Sequence, residues 1–568
     1  MKPLAWAAGA EVAGSVVLVH SYFLWLAVPA ILATVWLVIW RHLTRYVPRS
    51  RVRSMRLRLR LGLRPGRGFE TMAGLWFAHS RYAAWRRSKR IRPSLGSWQR
   101  YRHPDEHSAR IGHAQRHTPV RIPHEEHLLI TGAPRTGKSG LLGSLIMHHH
   151  GPVLSTSTKA DMFALTSGIR AAMGPVIVFN PGRVGGIPST VRFDVVKGCA
   201  DPEVAVRRSD AMTGAVSMKG AEGGEFFGQK ASSYLRAMFA AADMVEGDAR
   251  LVNKWVLTGS QEAEQILRAN GATHWAAELS ELHGDATKTA ATCRMVMTRA
   301  MGFMTSPVLA ASVLPGDGMD IETWLRSNGT IYMIADSANE ENPVAPVFAA
   351  LAAEVHHVAS LTGSTMAGGR LDPPLRMALD EATSICPIPL PVYMSDSGGK
   401  GITIAGACHS VSQLRSRWGQ DGAAAILATA GTKLWMSGTS DVETAELIAT
   451  LSGEFSQQER LQDHHTRHKT ITPHMVRAIP PGRAVMLRGD RNVAIVKLER
   501  AWKQREYRQA RRSGSLAADL TAVPTARTVP SVAVPERPAV EPPRPSVADL
   551  ADLVSDDSPA PWGASWKD

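Results

Sequence analysis

The chain has 568 residues, enough for two or three domains with a sizeable core. Its formal net charge is +15, but the segment 41–121 alone holds 21 Lys and Arg against three acids, Glu70, Asp105 and Glu106. The remainder is slightly acidic, which excludes a uniformly basic nucleic-acid coat, and four scattered cysteines without a CxxC pair exclude a disulfide framework and a cysteine zinc site, as in a reducing cytosol.

Segment 4–18 is a weak apolar span interrupted by Glu11. Segment 22–40 (YFLWLAVPAILATVWLVIW) lacks any charge, is long enough to cross a bilayer, and has aromatic residues at both ends. The pair reads as one or two transmembrane helices, with a hairpin turn at His20 and Ser21. Arginines 41, 45, 49, 51, 53, 56, 58 and 60 follow at once, so the positive-inside rule places the rest of the chain in the cytoplasm. No small-residue cleavage pattern supports a signal peptide. The basic neck, 41–121, reads as a topology signal in contact with anionic lipid, with nucleic-acid contact as the alternative.

A short apolar strand, 127–131 (HLLIT), then leads into GAPRTGKS and a helix-like run, 139–147. Strand, glycine loop and helix are the context of a phosphate-binding loop. Gly132 and Gly137 allow backbone N–H groups to curl around phosphate oxygens, with Ala133, Pro134, Arg135 and Thr136 between them. Lys138 reaches the β and γ phosphates, Ser139 joins a Mg²⁺ shell, and the helix N-terminus adds its positive end.

Further strands are expected at 153–155, 176–179, 330–334, 375–379, 402–406 and 434–437, with helices at 161–172, 344–361 and 442–451. This alternation predicts an α/β fold with a mostly parallel sheet, the phosphate-loop ATPase domain spanning 122–225 and 313–500. Segment 226–312 is rich in Ala and Met and reads as an inserted all-α subdomain. The tail, 501–568, turns Pro- and Ala-rich from 513 and reads as disordered, with an acidic-apolar stretch at 546–557.

Strand 375–379 ends in Asp380 and Glu381. In a nucleotide site the first acid holds Mg²⁺ through water and the second orients or deprotonates the attacking water. His148, His149 and His150, and His464, His465 and His468, lack the flanking ligands of a closed metal shell and read as solvated.

Taken with STSTKADMFALT (155–166), GPVIVFNPGR (174–183) and SGGKGITIAGACHSVSQL (397–414), these features resemble the type IV coupling proteins of conjugation, the TraG/TraD-like ATPases, in their actinobacterial style. The resemblance covers roughly 1–500. It implies a RecA/FtsK-like motor in a membrane-anchored, hexameric ring that hydrolyses ATP with Mg²⁺ at subunit interfaces. It would pass single-stranded DNA bound to a relaxase toward a secretion channel, with the all-α insertion receiving the relaxosome. The carried-over roles fall on Lys138, Ser139, Asp380 and Glu381.

Two positions depart from the family pattern. Lys400 stands where an Arg commonly acts on the neighbouring subunit's nucleotide, and His409 stands at a sensor position that is commonly Gln. Lysine lacks the planar fork of arginine, and imidazole brings pH dependence. Arg415 and Arg417 are nearby substitutes. The rival readings are an FtsK-like double-stranded DNA translocase and a nucleotide-gated membrane receptor without motor activity.

Overall fold

A computed structural model describes residues 32–38, 68–114, 118–217, 223–283, 287–316, 318–336, 343–438, 441–458, 465–489 and 491–516. Among them no helix is long and apolar enough to cross a membrane. The expected span at 4–18 lies outside the described residues, and of 22–40 only 32–38, which are helical, lie within them. The acidic-apolar stretch at 546–557 also lies outside.

One eleven-stranded sheet organises the chain. In chain order its strands are β1 (Ser108–His113), β2 (Pro119–Pro123), β3 (Leu128–Thr131), β4 (Val153–Ser157), β5 (Val176–Phe179), β6 (Thr330–Ile334), β7 (Leu375–Leu379), β8 (Ile402–Cys408) and β9 (Thr432–Met436). After a separate hairpin, β10 (Glu454–Gln458) with β11 (His465–Lys469), come β12 (Arg483–Arg488) and β13 (Ala494–Leu498). The spatial order is β2-β1-β13-β12-β9-β3-β8-β7-β4-β6-β5. From β9 to β5 every pairing is parallel. From β9 to β2 every pairing is antiparallel.

The parallel strands follow from sequence. β3, β4, β6, β7 and β8 are buried at every position, as strands covered by helices on both faces must be. Successive residues alternate between two cores. Leu128 and Ile130 join the cluster holding Leu141, Leu142 and Leu145 of the helix Lys138–Met147. Leu129 joins the other, larger cluster, with Phe348 and Leu351 of the helix Ala345–Ser364. β7 and β8 send Ala378, Ala405 and Ala407 into the first cluster, side chains short enough to let that helix lie close to the sheet.

The antiparallel strands were not expected. β1 and most of β2 lie in the basic segment 41–121, and β12 and β13 follow the hairpin. Between β5 and β6 the described chain carries helices and no strand, including Pro202–Gly214, Gly224–Met244, Ala249–Thr258, Glu262–Ala269, Thr273–His283 and Thr287–Ala300. These helices share the larger core with the sheet.

One expectation about histidine is corrected. His149 is not solvated. It is buried, its Nε2 lies 2.7 Å from the Pro374 carbonyl, and its ring meets that of His124 edge to face at 4.8 Å. His148 and His150 pair with Glu506 and Glu106. Among the described residues no cluster of His, Cys, Asp and Glu could hold a metal by itself.

Candidate nucleotide site

The carboxyl ends of β3, β7 and β8 lie side by side, with β8 in the middle. This order decides which side chains meet. Thr131 at the end of β3 is level with Cys408 at the end of β8, so Gly132 and His409 emerge together, and Gly132 N–H donates to the Cys408 carbonyl at 3.2 Å. On the other side of β8 the end of β7 delivers Asp380 and Glu381, and Ala382 N–H donates to the Ala407 carbonyl.

The two loop glycines are required for different reasons. A Cβ on Gly132 would sit 2.7 Å from Met436 Cβ, so the constraint is space. Gly137 has φ 109° with open space around it, so the constraint is conformation. Between them Ala133 accepts from the Thr136 hydroxyl at 2.8 Å, while Pro134 and Arg135 are exposed and Arg135 turns left-handed at φ 63°.

Lys138 is buried. Its Nζ donates to the Gly132 carbonyl at 2.7 Å and to His409 Nδ1 at 2.7 Å, and lies 3.9 Å from Glu381 Oε1. An ammonium only donates, so His409 Nδ1 accepts and its Nε2 carries the proton. That Nε2 lies 3.0 Å from Glu381 Oε1, which accepts. His409 is itself placed by its backbone N–H donating to Gln413 Oε1 at 2.9 Å. Burial lowers the Lys138 pKa, and the Glu381 and Asp380 charges oppose that. Glu381 takes a left-handed φ of 50°, which sets it apart from Asp380 in direction.

Ser139 Oγ donates to Asp380 Oδ2 at 3.2 Å. Asp380 Oδ1 is buried with no hydrogen-bond partner, and burial followed by the neighbouring Glu381 charge raises the carboxyl pKa to about 6. A hydroxyl and a carboxylate meeting with one oxygen left over is a hard oxygen donor set, which fits a Mg²⁺ ion completed by phosphate and water. Thr156, which the sequence reading passed over, donates its hydroxyl to the Asp380 carbonyl at 3.0 Å and fixes the turn.

Five expected residues therefore converge: Lys138, Ser139, Asp380, Glu381 and His409. Lys400 does not join them. It lies before β8, at the opposite end of that strand, roughly 25 Å away by strand rise, and pairs with Asp396. Arg415 pairs with Glu443, and Arg417 donates to the Gly214 carbonyl at 2.5 Å, so both are engaged within their own chain. Gln413 and Trp502 were also missed. A Cβ on Gly140 would meet the Trp502 ring at 2.7 Å, a contact no local pattern announces.

Residues 374–482 match the family model described as the TraM recognition site of TraD and TraG. The fold is similar to that of the plasmid coupling protein TrwB in complex with a non-hydrolysable GTP analogue, at 20% identity and TM-score 0.52, covering 68% of this chain and 90% of that one. An unbound form of the bacterial conjugative coupling protein TrwB matches at 19% identity and TM-score 0.54, with 68% and 89% covered. TrwB with ADP and Mg²⁺ matches at 18% and 0.52, over 68% and 89%. At these identities the likeness is one of fold. No curated protein sequence matches the chain.

Proposed function

We propose that this chain, a type IV coupling protein by its TraG/TraD segment and its TrwB-like fold, is a membrane-anchored ATPase that couples hydrolysis to transfer of relaxase-bound single-stranded DNA into a conjugation channel. The observation that carries the reading is the meeting of Lys138, Ser139, Asp380, Glu381 and His409 at the carboxyl edge of the sheet, around a glycine loop. TrwB has been captured with ADP and Mg²⁺ and with an ATP analogue, which supports ATP and Mg²⁺ as the ligands here.

The residues divide the work. Backbone N–H groups of 132–139 bind phosphate oxygens, and Lys138 exchanges the Gly132 carbonyl and His409 for them. Ser139 and Asp380 hold Mg²⁺, which when bound neutralises phosphate charge. Glu381 orients a water and accepts its proton, while His409 positions the Glu381 carboxylate. Relaxosome and channel components are the proposed partners, a homo-oligomeric ring, hexameric in this reading, is the working form, and the cell membrane is its place, with the bulk of the chain on the cytoplasmic side.

The test is ATP hydrolysis by the full chain in detergent, with and without single-stranded DNA. Stimulation that Lys138→Ala abolishes, and that Glu381→Gln abolishes while ATP still binds, is expected. Wild-type turnover in Glu381→Gln would overturn the site. Stimulation by duplex DNA alone would favour an FtsK-like translocase.

A further inference from the structure

The stretch 71–103 contains no Asp or Glu and eight Lys and Arg. It folds as three helices, Met72–His79, Arg81–Ile91 and Ser97–Arg102. The middle helix buries Ala83, Ala84, Ser88 and Ile91. Its opposite face therefore presents Tyr82, Trp85, Arg86 and Lys89, at the i, i+3, i+4, i+7 spacing of one stripe. Trp76 stacks on Tyr82 at 5.7 Å, and Trp98 on Tyr101 at 6.0 Å. Trp76 is 47% exposed and Trp98 67%, unusual values for indoles.

The same helix walls a cleft of ≈ 1160 Å³ with Arg86, Arg87, Lys89 and Arg90. Its two acids are already bound, Glu125 by Arg90 and Arg370 and Glu126 by Arg488, so positive charge is in surplus. A surface of indoles, phenols and cations whose two acids are already ion-paired fits a polyanion that also has an apolar side.

We infer that this three-helix face lies on an anionic lipid bilayer, with the aromatic rings at headgroup depth and Arg86 and Lys89 on lipid phosphates. Two observations favour lipid over single-stranded DNA. The ring faces on which bases would stack are engaged by one another and by the guanidinium groups of Arg81 and Arg102. Among the described residues, these are also the first helices after the charge-free run 22–40 and its arginines, where a membrane surface is close at hand. The inference rests on the membrane-anchored reading only for that proximity.

The experiment uses the full chain with Trp98→Cys carrying an environment-sensitive dye. The four native cysteines are buried, so the label is selective. In nanodiscs containing phosphatidylglycerol, emission shifts to the blue and doxyl lipids quench it. Phosphatidylcholine discs give neither, and Arg86→Glu with Lys89→Glu weakens the contact at least about tenfold while leaving basal ATP hydrolysis unchanged. Identical spectra in both lipids overturn the inference. So does a change produced only by an oligonucleotide, or one that tracks protein association. If the chain does not enter nanodiscs, the anchor reading fails separately. Flotation with phosphatidylglycerol vesicles then decides this face: binding lost in the charge-reversed variant upholds it, and no binding overturns it.

Discussion

Asp380 is held in a place that opposes its charge. Burial and the Glu381 carboxylate raise its pKa to about 6, against 3.8 when free. The native state therefore binds the proton more tightly than the unfolded chain, and its stability falls as pH rises from about 4 through 6. Above 6 the nucleotide-free protein carries a penalty of up to about 3 kcal/mol, released when a cation arrives. Asp380→Asn should raise the melting temperature of the nucleotide-free protein at pH 8, and the gain should vanish as pH falls toward 4. The same variant should lose Mg²⁺-dependent nucleotide binding. A melting temperature unchanged at pH 8 would show that the carboxylate is solvated after all. His409 offers a parallel case: Gln has one donor and one acceptor for the same two neighbours, so His409→Gln should keep most turnover and His409→Ala should lose it, read as kcat at constant KM.

At the scale of elements, β8 separates two candidate functions. Its carboxyl end brings His409 to the loop, and its other end carries the turn with Lys400, out of reach of its own site. We predict that Lys400 acts on the nucleotide of a neighbouring chain. Lys400→Ala should then bind ATP normally and lose hydrolysis, and mixing it with Glu381→Gln should recover part of the activity. Normal hydrolysis by Lys400→Ala alone would make it a solvated turn lysine.

The legibility of the elements follows from their burial. β5, β6 and β7 were readable to the residue because they are short and mostly apolar, with Arg376 of β7 the one charge among them. β1, β2, β12 and β13 carry Arg, His and Lys among their apolar residues, and β1 meets β13 across hundreds of positions, so no local window marks the antiparallel half they build. Asp380, Glu381 and the glycine loop were legible because a chemical motif needs fixed residue types. The burial of His149 was not, because its partner is a backbone carbonyl supplied by a distant turn.

For the molecule as a whole, buried imidazoles set an acid limit. Burial is the leading cause that lowers His79 to about 3, His107, His127 and His356 to about 4, and His124 and His149 well below 6.5. Each is neutral in the native state and charged in the unfolded chain below 6.5. Their contribution is complete above 6.5 and is lost as pH falls toward the folded values. At pH 5 the loss is about 2 kcal/mol for each of His79, His107, His127 and His356, and these four together rival the stability of a typical domain, with His124 and His149 acting in the same direction. The urea midpoint should fall steeply between pH 6.5 and 5. A flat profile over that range would mean that the imidazoles are hydrated.

The pairing of β1 with β13 sets Gly112 opposite Leu498. On the ribosome, the first strands of the sheet emerge long before the partner that closes over them. At ordinary elongation rates that partner arrives about 20–80 s later. Through this interval β1 offers an open row of N–H and C=O groups, beside a nascent chain already rich in uncovered apolar strands. Translation that stops short of 494–498 leaves that edge unpaired, so truncated products should be cleared by proteases or aggregate rather than accumulate as inactive, folded protein.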